Sequence, residues 1–524
     1  MRYVSLAVYL IVGFLIGNTI ADLIVEIAIP TWRNHLGQTL LILLIGGAGA
    51  FGGWTAWSRK RSSAQSDVHG SARWATDRQV RAALGRAEGL IVGREPKRGG
   101  QLLRYDGPGH LMTIAPTRSG KGVGAIIPNL LKANRSIVCV DPKGENARVA
   151  ARARARFGRV HVLDPFEITG ELTAAYNPLD LLNANSPDLA EDAALLADAL
   201  VYDPPAHVGE AHWNEEAKAL IAGLILHVVC NRDPEQRTLG EVRNLLTASP
   251  EELAATLTEM QASLAADGLV RRAANRHLGK SDREASGVLS SAQRHTHFLD
   301  SVRITRGLAR SNFRFGELKS GRSTVFLVLP PERLETHARW LRLLVVQALQ
   351  DIARTPGNGG APVLFLLDEF AALGRLEPVE LAFGYMAGYG VQLWPILQDM
   401  HQLWSTYGER AGTFLSNAGM VQVFNVADIE TANWVSRSIG ATTVAYETSG
   451  ASVSRAPNQF FSTHSTSTTA HLARRDLITP DEVMRLDQSL EILLQPGLPP
   501  MWAWKVRYYS DAEFTGLVAP TSIT

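Results

Sequence analysis

Three short stretches of this 524-residue chain carry side chains suited to handling a phosphate chain. In the first, Pro116-Thr117-Arg118-Ser119-Gly120-Lys121-Gly122-Val123 follows an apolar run from Leu111 to Ala115 and leads into a helical pattern reaching Leu131. A tight loop between strand and helix aims backbone N–H groups and a helix N-terminus at an anion, and a lysine there reaches the terminal phosphates. The spacing departs from G-x-x-x-x-G-K-[ST] at both ends. Ala115 holds the first glycine position, and Gly122 holds the position of the hydroxyl that would bind Mg²⁺. Taken alone, the stretch also fits a glycine-rich βα turn that binds nothing. The second stretch is Val363-Leu-Phe-Leu-Leu-Asp368-Glu369, a hydrophobic strand delivering two adjacent carboxylates. Alternation along a strand points them differently, so Asp368 is assigned to Mg²⁺ and Glu369 to the attacking water. The third is Gln398, ending Val391 to Gln398, a neutral polar group placed to sense the γ-phosphate or simply to end a strand. Together these residues predict Mg²⁺-dependent ATP hydrolysis.

The elements that must hold them follow an α/β pattern. Ser136 to Asp141 is a continuous apolar run of the buried parallel-strand kind, ending in the polar loop Asp141-Pro-Lys-Gly-Glu-Asn146. That is the edge where open α/β sheets bind ligands. The helix after it carries Arg148, Arg152, Arg154 and Arg156, read as a solvated face rather than a DNA-facing strip. Val160 to Asp164, Ser323 to Leu329 and Met420 to Val426 add strands, and Thr336 to Ala353 is an amphipathic helix. Ser186 to Phe298 shows only helical periodicity, at 188–201, 213–230, 239–247, 250–265 and 281–297, and reads as an inserted all-α domain. Ser449 to Thr469, rich in Ser and Thr, is expected to be a mobile surface segment. Leu490–Gln495 and Met501–Tyr509 are expected to pair as a hairpin.

Composition bounds the rest. A formal charge of +1 excludes a uniformly basic nucleic-acid coat, and 46% hydrophobic residues suffice for large cores. Cys139 and Cys230 sit in apolar runs without metal-ligand spacing, as reduced core residues do. Tyr3 to Ala21 and Thr39 to Trp57 are each about long enough to cross a bilayer. Arg59-Lys-Arg61 directly after the second run places that end in the cytoplasm. A cleaved signal peptide is the weaker reading of the first run, because Arg2 is its sole early cation and Asn18-Thr-Ile-Ala21 is a poor cleavage site.

Pro116 to Gly124, Asp141-Pro-Lys-Gly-Glu145, Tyr176-Asn-Pro-Leu179 and Leu367-Asp-Glu-Phe-Ala-Ala-Leu-Gly-Arg375 together resemble the type IV secretion coupling proteins of the TraG/TraD kind. Gly70-Ser-Ala-Arg-Trp74 and Arg475-Asp-Leu-Ile-Thr-Pro-Asp-Glu-Val483 fit the same pattern. The resemblance spans nearly the whole chain, and the Gly-Lys-Gly ending of the loop is normal in that group. It implies a RecA-like P-loop motor with an inserted all-α domain and two N-terminal transmembrane helices. The expected layout is an anchor at 1–61, motor segments at 62–185 and 299–524, and a substrate-selecting helical domain at 186–298. The implied protein is an inner-membrane, hexameric ATPase with its main body cytoplasmic. It would pass relaxase-bound single-stranded DNA, effector proteins, or both, to the secretion channel components. The nucleotide would lie on Pro116 to Val123, with Mg²⁺ on Asp368, helped by Thr117 or Ser119. Arg375, Arg410 and Arg437 are candidates for an arginine finger supplied in trans. Two competing readings are a chromosome-segregating DNA translocase and a non-hydrolysing docking platform.

Overall fold

The computed structural model describes residues 10–20, 43–55, 67–202, 211–357, 359–454 and 463–518. Its strands, in chain order, begin with β1 (Leu90–Arg94), β2 (Leu102–Tyr105), β3 (His110–Ile114), β4 (Ile137–Asp141), β5 (Val160–Leu163) and β6 (Thr324–Val328). There follow β7 (Val363–Leu367), β8 (Val391–Leu397), β9 (Ala418–Phe424), β10 (Ala441–Ser454), β11 (Thr463–Asp476), β12 (Leu490–Leu494) and β13 (Met501–Trp504). Eleven of them form one sheet in the order β2-β1-β13-β12-β9-β3-β8-β7-β4-β6-β5. From β9 to β5 every pairing is parallel, and from β9 to β2 every pairing is antiparallel.

The parallel half forms from runs such as Val363-Leu-Phe-Leu-Leu367 because both of its faces are covered, so apolar residues at every position gain by burial. The polar residues it does bury are paired. Thr113 on β3 donates to Gln422 Oε1 on β9 at 2.8 Å and accepts from Trp394 Nε1 on β8 at 2.7 Å. Gln422 in turn donates to Glu491 Oε2 on β12 at 2.6 Å. His110 accepts the Leu393 N–H at 3.0 Å. These bonds fix β3 between β8 and β9, with Ile114 opposite Leu397. Leu367 lies opposite both Pro395 and Val140, so the carboxyl ends of β3, β8, β7 and β4 share one edge.

From Pro178 to Gly307 the described residues form only helices and turns. The longer helices are Leu189–Leu200, Ala211–Asn231, Leu239–Leu246, Pro250–Ala262, Leu269–Leu278 and Asp282–Thr296. Their starts follow sequence signals: Ser249 and Glu252 make a capping box, and Thr238 and Ser281 accept from the third helical N–H. Leu269–Leu278 was not legible, since it begins at Gly268 in the left-handed conformation with no side-chain cap.

The chain folds as two compact units: Trp74–Val435 with Pro480–Thr524, and Met1–Arg73 with Ser436–Thr479. The first contains the sheet and the helical segment. The second contains helices at 10–20 and 43–55 and an antiparallel ribbon pairing β10 with β11 from Ala441↔Asp476 to Ser454↔Thr463. The Ser/Thr-rich stretch expected to be mobile is therefore largely strand, with residues 455–462 outside those described. β-Branched Thr and Val suit a pleated ribbon, and the pairing involves two segments that single-sequence periodicity does not connect. The expected membrane runs, Tyr3–Ala21 and Thr39–Trp57, are helical over 10–20 and 43–55, and their other residues lie outside those described. No helix among the described residues is long and apolar enough to cross a membrane.

Candidate active site

The loop after β3 turns sharply because Arg118 (φ 64°) and Gly120 (φ 94°) both take positive φ. A Cβ on Gly120 would meet nothing within 4 Å, so conformation and not space calls for glycine there. The helix that follows opens with a π-helical turn at Gly122–Ile126, closed by the Ile127 N–H on the Gly122 carbonyl, before continuing as Ile127–Lys132.

On the neighbouring strand ends stand the other residues nominated by sequence. Lys121 Nζ donates to Asp368 Oδ1 at 2.9 Å and to Glu369 Oε1. Glu369 Oε2 accepts from Gln398 Nε2 at 2.9 Å, and Gln398 Oε1 accepts from Thr117 Oγ1 at 3.3 Å. Lys121, Asp368, Glu369, Gln398 and Thr117 are thus joined in one hydrogen-bonded set. Asp368 Oδ1 also accepts the Glu369 N–H at 3.0 Å. Glu369 adopts φ 51° and ψ 45°, a left-handed conformation that a non-glycine residue holds only under constraint, and such positions cluster at functional sites.

The electrostatics follow from burial opposed by pairing. Burial pushes Asp368 up and Lys121 draws it back, with a net rise. At Glu369 burial also pushes up, but Lys121 and Gln398 prevail and hold it below the ordinary carboxylate range. At Lys121 burial favours the neutral amine, yet the two carboxylates win and the pKa rises. Asp141, at the end of β4, is 1% exposed, and burial raises it to about 6 despite amide N–H donation from Ala147, Asn146 and Lys143.

These groups line a cleft of about 1470 Å³. Lys143, Arg152 and Arg156 make part of its wall, and Tyr508, Leu517 and Val518, from the segment after β13, make another. The arginine helix differs from expectation at one position. Arg154 is fully buried and donates to Thr324 Oγ1 (2.7 Å) and to the carbonyls of Leu130 (3.2 Å), Ala133 (2.5 Å) and Arg135 (2.5 Å). It closes the end of the helix against the sheet and faces neither solvent nor DNA. Among the finger candidates, Arg375 and Arg410 both pair with buried Glu380, at 3.5 and 3.0 Å. Arg437 lies on the helix Ile429–Ile439. Neither cysteine forms a disulfide: Cys139 is buried and Cys230 partly so.

The donor set fits Mg²⁺ bound with a nucleotide. Asp368 offers a buried hard oxygen, and Ser119 Oγ is buried without a partner among the described residues. No group of three His, Cys, Asp or Glu able to hold a metal by itself occurs among the described residues. A cation here would complete its shell with phosphate oxygens and water, as Mg²⁺ usually does.

The family model described as "Type IV secretory system Conjugative DNA transfer" matches residues 73–524. The conjugal transfer protein TraG of Escherichia coli is 30% identical over 515 residues, covering 87% of this chain and 79% of that one. Protein VirD4 of Rhizobium rhizogenes is 32% identical over 461 residues, covering 84% and 66%. Among solved structures, the plasmid coupling protein TrwB in complex with ADP and Mg²⁺ superposes with a TM-score of 0.61 at 17% identity, covering 83% of this chain and 93% of that one. That likeness carries the fold.

Proposed function

From its membership of the type IV secretory system conjugative DNA transfer family, to which this chain belongs, we propose that it is a membrane-anchored ATPase that delivers DNA, protein effectors or both to a secretion channel. The observation that carries the motor reading is the joining of Lys121, Asp368, Glu369 and Gln398 across the ends of three neighbouring strands. A docking platform would have no use for that arrangement. Complexes of a relative with ADP and Mg²⁺ support the same reading.

Lys121 pairs with both carboxylates. From this position Lys121 would hold the terminal phosphates of ATP, Asp368 would hold the metal and Glu369 the attacking water. Mg²⁺, when bound, neutralises charge developing on the transferred phosphoryl oxygens. Glu369, held ionised, orients the water and accepts its proton, while Gln398 links that carboxylate to Thr117 in the loop. Arg375 or Arg410 would act in a neighbouring subunit only by leaving Glu380, and the assembly assigned to the chain is the hexamer expected of the group. The helical segment at 186–298 is assigned substrate selection. The apolar runs near the N-terminus are assigned to the inner membrane: Ile11, Leu15, Leu44 and Phe51 are 56–72% exposed. Lipid is the surrounding that suits such a surface.

The test is Lys121→Ala in the full-length chain. ATP turnover and substrate transfer are expected to be lost while the protein remains in the membrane fraction. Undiminished transfer by this variant would sink the motor reading.

A further inference from the structure

Lys505 belongs to none of the motifs above. It directly follows β13, and its Nζ donates to the Ser119 carbonyl oxygen, inside the phosphate loop, at 2.8 Å. The same ammonium donates to Asn425 Oδ1, just beyond β9, and stands 4.5 Å from the centre of the Phe424 ring. The backbone is close as well: a Cβ on Gly124, in the loop helix, would stand 3.1 Å from the Val506 carbonyl oxygen. A cation is thus held against the loop through neutral groups. Fully buried Glu491, whose pKa burial pushes well up, and Asp487 and Arg507 are the titratable groups that face it.

The contact falls on the peptide that matters most to an anion. In a trans peptide the C=O and the following N–H point in opposite directions. With the Ser119 carbonyl turned to Lys505, the Gly120 N–H is turned the other way, and among the described residues it has no acceptor. Gly120 and Lys121 both line the cleft. The positive φ of Gly120 leaves this peptide free to rotate in a way a residue with a side chain would resist. Something must choose its orientation.

We propose that Lys505 is a positioning residue of the phosphate loop: by holding the Ser119 carbonyl it turns the Gly120 N–H toward the nucleotide's phosphates and ties the C-terminal strand to the site. The proposal rests on the ATPase reading above and deepens it. Burial lowers Lys505 to about 8, with Glu491 and Asp487 opposing and Arg507 assisting that shift, so the ammonium is mostly charged at neutral pH.

An amide oriented before binding serves ground state and transition state alike, so its loss is read in KM and not in kcat. In the purified full-length chain, Lys505→Met is expected to raise the KM for ATP and weaken ADP binding about tenfold, the size of one charge-assisted hydrogen bond. The kcat should stay within about threefold and the melting temperature close to wild type. Amide hydrogen exchange across Pro116–Gly122 in the nucleotide-free protein should quicken. Lys505→Arg, which keeps a charged donor, should restore KM and exchange. Wild-type KM and exchange in Lys505→Met would overturn the proposal. So would a common loss in the Met and Arg variants that follows melting temperature, since that marks a packing role. If Lys505→Met does not fold, Lys505→Gln is read the same way, with about a threefold rise in KM expected from a neutral donor. A wild-type chain that binds ADP without hydrolysing ATP would defeat the ATPase reading alone, because ADP affinity and exchange still decide the role of Lys505.

Discussion

Glu369 combines a left-handed backbone with a carboxylate shared between Lys121 and Gln398, so its side chain is aimed by its neighbours rather than by its own preferences. Glu369→Gln keeps the shape and removes the base. Its kcat is expected to fall at least about a hundredfold with ATP affinity retained, as loss of a general base does, measured by steady-state turnover and equilibrium nucleotide binding. Asp141 lends itself to a pH test. Its folded-state value of about 6 lies above the ordinary 3.8, so the folded protein holds this proton more tightly than the unfolded chain. The stabilisation is complete below about pH 4 and is lost as pH rises through about 6, a swing of up to about 3 kcal/mol. Asp141→Asn should therefore raise the melting temperature at pH 8 and change it little at pH 4, in thermal melts of the nucleotide-free protein. Asp141, Asp368, Glu369 and Gln398 were legible because each sits at the end of an apolar run, and Lys121 because it stands in the glycine loop that follows one. Lys505 was not: it lies 384 residues from Lys121 (505 − 121), just past the interior strand β13, and only the pairing of distant strands brings it to the loop.

Among elements, the helix Glu145–Arg154 shows what a linear reading of charge misses. Four arginines in nine residues look like a solvated face, yet Arg154 satisfies three carbonyls and a hydroxyl in the interior. The carbonyls ending the loop helix and its connection to β4 need donors, and a guanidinium supplies several at once. Arg154→Leu should cost about 3 kcal/mol by leaving those acceptors buried and unpaired, read as a lower urea midpoint with an unchanged slope. Strands β3, β4 and β6 to β9 were legible as apolar runs, but their order was not, since the polar bonds selecting it (Thr113 to Gln422, Gln422 to Glu491) join residues 309 and 69 positions apart. The β10–β11 ribbon was missed because its Ser and Thr residues carry no burial pattern.

For the whole molecule, the exposed apolar helices at 10–20 and 43–55 predict that the full-length chain partitions with membranes and that removing residues 1–61 releases the remainder to the soluble fraction, checked by fractionation and immunoblotting. The sheet order has a consequence for the timing of synthesis. The strand that carries the phosphate loop, β3, ends at Ile114, but its two neighbours span Val391–Leu397 and Ala418–Phe424. At about 5–20 residues per second, the ribosome needs roughly 15–60 s after making the loop to supply β9, and longer to reach Lys505. Until β8 is made within that interval, the nascent chain has a glycine-rich loop with no acidic pair set beside it in the sheet. A partly translated or truncated copy would reach the membrane without spending ATP there, and hydrolysis would begin only once translation was almost complete.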